Sequence, residues 1–142
     1  MATATETATI EARNEETIRN YIAAFERKDA AGIVEHCAAK VYMKNGPFDP
    51  TITRDELQGL FEAFLPHVAS VRFRDLTLNA IGDMVYTERV ECFGILGSDG
   101  KEVALPVNAI YQFDDDGKII DWREYWDLND WLAQGGPSFD DL

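Results

Sequence analysis

Apolar positions in the first third of the chain recur with helical spacing. In NEETIRNYIAAFERKD, Ile18, Tyr21, Ile22 and Phe25 fall at i, i+3, i+4 and i+7, which predicts an amphipathic helix. Asp29 stands where it can cap a shorter helix over AAGIVEHCA. VYM at 41–43 predicts a short strand running into the turn-rich NGPFDP. Thr53 and Glu56 then form a capping box, and Leu57, Leu60, Phe61, Phe64 and Leu65 follow as a second apolar stripe that Pro66 ends.

From about Val71 the pattern changes to strands. SVRFRDLTLNAI, MVYTERVECFGIL, EVALPVNAIYQF and KIIDWREYWDL are separated by Gly82-Asp83, Ser98-Asp99-Gly100 and Asp115-Asp116-Gly117, each a hairpin-turn signal. A last short helix is predicted over NDWLAQ, before Gly135-Gly136. Helices followed by hairpin-linked strands is an α+β order, with one sheet face left for the helices to cover. The expected organisation is a flexible lead-in over 1–13, one domain over 14–134 and an acidic tail over 135–142.

Composition sets limits on this picture. The 142 residues are 46% hydrophobic, enough for one core and too few for two. A net charge of −13 counts against nucleic acid and anionic membrane surfaces, whose binding rests on clustered Lys and Arg. No apolar run is long enough to span a membrane, and the opening MATATETATIEARNEE does not read as a signal peptide. A cytoplasmic location is therefore expected, with Cys37 and Cys92 reduced and buried. His36 and His67 are isolated from any ligand pattern, so no metal is expected. No phosphate-cradling glycine motif is present, and no cofactor is expected.

Two strands carry charge where their pattern predicts core. Side chains alternate faces along a strand, so Arg89 and Glu91 point the same way as Val85, Thr87 and Phe93. In the last strand Glu124 shares a face with Ile120, Trp122 and Trp126. A carboxylate in such surroundings costs several kcal/mol unless it is paired or protonated. The economical arrangement brings the two oddities together, with Glu91 and Glu124 sharing Arg89. Carboxylates about 5 Å apart repel by about 3 kcal/mol at an effective dielectric near 20, or about two pK units. One would then be ionised and the other protonated near neutral pH, a base and an acid in one site.

VYTERVE at 85–91, GKIIDWREYWDL at 117–128 and the N-G-P turn at 45–47 resemble the limonene-1,2-epoxide hydrolases, within the wider SnoaL-like, NTF2-like fold group. The resemblance implies a cone-shaped fold, in which a curved, mostly antiparallel sheet and N-terminal helices enclose a pocket. It implies that Glu124 is the general base, Glu91 the general acid and Arg89 the organiser, with Asn45 helping to hold a water. It implies an apolar wall of Met43, Phe93, Leu105, Val107, Trp122, Trp126 and Trp131, a small apolar organic substrate, and a homodimer.

The sequence departs from that family in two ways. Both acids are Glu where the family has Asp, and Met43 stands where the family has a water-positioning tyrosine. Tyr42 is adjacent, but one step along a strand turns a side chain to the other face unless a bulge intervenes. The expected activity is addition of water to an epoxide. A SnoaL-like cyclase or ketosteroid-isomerase-like enzyme, including one that opens an epoxide with the substrate's own hydroxyl, is the alternative. A non-enzymatic ligand-binding module is the third.

Overall fold

The structure, a computed structural model, describes residues 2–140. Its first helix, α1 (Ala4–Glu26), starts well before the predicted boundary. Residues 1–13 are thus not a loose lead-in: Thr3 caps α1, its hydroxyl accepting the Glu6 amide at 3.1 Å, and only Met1 of that stretch lies outside the described residues. Glu11 and Glu15 then accept the backbone amides of Gly82 and Ala80, at 2.9 and 3.2 Å, which fixes this first half of α1 against a hairpin turn. The stripe of Ile18, Tyr21, Ile22 and Phe25 is buried throughout.

Helix α2 (Ala30–Val34) is capped by Asp29, and α3 (Arg54–Phe64) by Thr53, as their sequences predict. A single 3-10 turn over Leu65–His67 follows at Pro66. The strands are β1 (Cys37–Asn45), β2 (Thr51–Thr53), β3 (Val68–Ile81), β4 (Met84–Ile95), β5 (Glu102–Phe113) and β6 (Ile119–Tyr125). They form one sheet in the order β2-β1-β6-β5-β4-β3, antiparallel except where β1 runs parallel to β6.

The sheet is curved and not closed, and with the helices it forms a cone. Part of its bending is built into β3, where the pairing register with β4 slips between Arg74 and Thr77 and Asp75 takes a φ of 56°. In β5 the alternation is complete: Val103, Leu105, Val107, Ala109, Tyr111 and Phe113 are buried. Across from them Phe25 meets Phe61 edge-on at 5.4 Å, so α1 and α3 close over the sheet through aromatic contacts. The core is therefore continuous from the helices to the inner sheet face.

A short α4 (Leu128–Ala133) ends the regular structure. Residues 135–140 do not run free as a tail. Phe139 folds back against Phe48, Phe64, Trp126 and Trp131, while Asp141 and Leu142 lie outside the described residues. Among the described residues no helix is long and apolar enough to cross a membrane.

Candidate active site

Strand alternation puts Thr87, Arg89 and Glu91 of β4 and Trp122 and Glu124 of β6 on the inner sheet face, and all five are buried. Strand β5 lies between them; its Leu105 is opposite Glu91 and its Ala109 opposite Glu124. Arg89 bridges the gap. Its Nη2 donates to Glu91 Oε2 at 2.6 Å and to Glu124 Oε1 at 2.8 Å, and its Nε adds a second bond to Glu91 Oε2 at 3.0 Å. The predicted meeting of the two charged oddities is present.

The rest of the guanidinium is tied down from behind. Nη1 donates to Thr87 Oγ1 at 2.7 Å and to the Tyr111 hydroxyl at 3.0 Å, and Nη2 also reaches the Tyr21 hydroxyl at 3.1 Å. Phe73 lies under the cation, 5.3 Å from its ring centroid. Every nitrogen of this buried cation is used, as its burial requires.

Each carboxylate spends one oxygen on this scaffold. Glu124 Oε1 accepts from Arg89, from Trp122 Nε1 at 2.9 Å and from the Tyr21 hydroxyl at 3.4 Å. Among the described residues Glu91 Oε2 accepts only from Arg89. Among the described residues, Glu91 Oε1 and Glu124 Oε2 have no protein partner, and both side chains line the same cavity. Burial pushes the Glu91 carboxyl up to about 7, opposed by Arg89 and reinforced by the nearby Glu124. A protonated Glu91 beside Glu124 gives the cluster an acid and an acceptor side by side.

The cavity has a volume of about 500 Å³. Met43, Phe93, Leu105, Val107, Trp126 and Trp131 all line it. Trp122 does not. It is completely buried behind the acids, where its indole N–H holds Glu124, so it belongs to the scaffold and not to the wall.

Asn45 reaches the cavity because β1 runs parallel to β6, with Asn45 in register with Glu124. Its Oδ1 accepts from Trp126 Nε1 at 2.8 Å, which leaves Nδ2 without a hydrogen bond among the described residues. Met43 is buried in the wall while Tyr42 is 40% exposed on the opposite face. The shifts in β1 pairing do not rotate Tyr42 inward.

Several site residues were not legible as such. Tyr21 and Tyr111 read as core stripe positions, and both are core, but their hydroxyls meet Arg89. Phe48, Phe61, Phe64 and Phe139 also line the cavity. Helical periodicity flagged Phe61 and Phe64; nothing in the turn at 45–50 or the tail flagged the other two. Among the described residues no three His, Cys, Asp or Glu side chains come together as a metal-ligand set.

The family model for the SnoaL-like domain matches residues 18–122. Several solved structures share the fold. A candidate polyketide cyclase of Xanthomonas campestris pv. campestris superposes with a TM-score of 0.79 at 22% identity, over 88% of this chain and 98% of that one. An LEH-like epoxide hydrolase of M. tuberculosis gives a TM-score of 0.69 at 20% identity, over 87% and 90%. The epoxide hydrolase/cyclase-like enzyme SalBIII, described for pyran ring formation in polyether salinomycin, gives 0.69 at 18%, over 84% and 94%. At these identities the likeness is one of fold.

Proposed function

The chain belongs to the SnoaL-like domain family, and we propose that it is a cofactor-independent epoxide hydrolase acting on an apolar, small-to-medium epoxide. One observation carries the reading: Glu91 and Glu124 are bound through one oxygen each to Arg89, and among the described residues their other oxygens have no protein partner in a shared, largely apolar cavity.

In this scheme Glu124 Oε2 takes a proton from a water whose oxygen bonds to an epoxide carbon. That carbon's bond to the ring oxygen breaks, and the leaving oxygen takes the proton from Glu91 Oε1. The product is a vicinal diol, with no covalent intermediate and no cofactor. The raised Glu91 carboxyl suits the acid, and the Glu124 oxygen that faces the cavity suits the base, its other oxygen being held by Arg89, Trp122 and Tyr21. In the same scheme the amide of Asn45, which lines the cavity, helps hold the water. Glutamates in place of aspartates extend each acid by a methylene. Incubating the protein with a panel of apolar epoxides in heavy-oxygen water tests the scheme. Diols carrying one heavy oxygen are expected; a panel that yields no labelled diol refutes it.

A second reading is supported by a specific observation. With Met43 in the wall and Tyr42 outside, the β1 segment supplies no tyrosine hydroxyl to position water. A substrate bearing its own hydroxyl would need no such help, and the epoxide would open to a cyclic ether by the same two proton transfers. A hydroxy-epoxide distinguishes the two, since cyclisation leaves heavy oxygen out of the product.

A further inference from the structure

The cavity is chemically divided. Glu91 and Glu124 are buried, as is Trp131, whereas Phe48, Phe64, Trp126 and Phe139, which line the same cavity, are only half-buried. Phe139 is the centre of this group. Its ring centroid lies 5.0 Å from Phe48, 5.4 Å from Trp131, 6.0 Å from Phe64 and 6.1 Å from Trp126, at interplanar angles of 68°, 31°, 25° and 50°. Residue 139 lies beyond the segment that the family model matches.

The tail is seated there by specific contacts. Gly135 has a φ of 91°, and a Cβ on Gly136 would stand 2.3 Å from the Trp131 indole, so the chain passes over that ring only as glycine. Trp131 Nε1 then donates to the Pro137 carbonyl at 2.9 Å. On the other side Lys44 Nζ holds the Phe48 carbonyl at 2.6 Å. The indole N–H of Trp126 is spent on Asn45. Both tryptophans have therefore used their only donors and present ring faces and edges to the cavity.

We propose that Phe139 is a specificity-determining residue and that the site takes substrates carrying a flat aromatic group at the end away from the reacting carbons. This rests on the reading of the acid pair as the reacting end. Such a ring meets edge-to-face and offset partners at the angles the surrounding rings already adopt, whereas a saturated ring of equal size gains burial alone.

The test measures binding to the full chain by calorimetry with naphthamide and its fully saturated counterpart, which share an amide head able to meet the acids. The aromatic probe is expected to bind about tenfold more tightly, the effect of one or two aromatic contacts. Phe139→Ala and Phe139→Leu are expected to bring the two probes within about twofold, the leucine variant keeping the burial and losing the ring. Equal affinities in the wild type, no binding of either probe, or a preference that both variants keep would overturn the proposal. Because no turnover is read, this result stands apart from the labelled-diol assay: an aromatic preference can hold where no diol forms, and the reverse.

Discussion

Glu91 and Glu124 belong to strands that are not neighbours, yet they meet at one nitrogen, Arg89 Nη2, at 2.6 and 2.8 Å. The contact ties two carboxylates into a unit that neither strand could form alone.

Removing the cation should fail on two counts. Arg89→Met leaves Glu124 buried with its anchored oxygen short of its main partner, and loss of one member of such a cluster typically costs about 3–5 kcal/mol. Thermal or urea unfolding checks the stability, and epoxide turnover should fall below detection in any fraction that still folds.

Activity should decline as pH rises through about 7, where Glu91 loses its proton. Stability should move the same way. The folded carboxyl, raised to about 7, holds its proton more tightly than an unfolded glutamate at about 4.3. Its contribution is thus complete below about pH 4.3 and lost as pH climbs through 7, by about 4 kcal/mol. Urea titrations at pH 5 and pH 8 on the wild type and Glu91→Gln isolate this term. The variant should lack the decline that this one group causes, and its turnover should drop by about 10²–10⁴.

Trp122→Phe tests whether that indole is scaffold. The ring volume largely survives, but Glu124 loses a donor at 2.9 Å, worth about 1–3 kcal/mol for a buried charged acceptor. Turnover should fall at saturating substrate with KM little changed. A large rise in KM alone would return Trp122 to the cavity wall.

Met43→Tyr adds a hydroxyl to the wall beside Asn45, which lies two residues along the same strand. With a hydroxy-epoxide, the ratio of labelled diol to cyclic ether should rise relative to the wild type. An unchanged ratio would show that water is not held from this side.

Gly46→Ala should damage the site from the turn after Asn45. Gly46 has a φ of 54°, and an added Cβ would lie 2.5 Å from the Trp126 indole, the ring that Asn45 anchors. A loss of at least about 1 kcal/mol in unfolding free energy is expected, with weakened ligand binding.

How much of this was legible depends on what each residue's signal encodes. The inner faces of β4, β5 and β6 could be read from alternation, and the cost of buried charge singled out Arg89, Glu91 and Glu124. Alternation names a side and not a depth. Trp122 was therefore placed in the wall when it lies behind the acids. Tyr21 is 103 residues from Glu124 in sequence, and no local pattern reports a contact of that span. The first turns of α1 lack an apolar stripe, although Thr3 followed by Glu6 carried a capping signal. Phe139 follows a Gly-Gly pair among polar residues, and its place is set by rings from four other segments.

The division of each carboxylate into a tethered and an untethered oxygen has a consequence for the cycle as a whole. On the proposed scheme the proton leaves Glu91 and an equivalent one arrives on Glu124, so every turnover ends with the pair in the opposite protonation pattern. The enzyme must be re-armed before it can act again. Behind the acids stand Arg89, Trp122 and Tyr21, all buried, so the proton crosses from Glu124 to Glu91 on the cavity side, in the space that the product vacates.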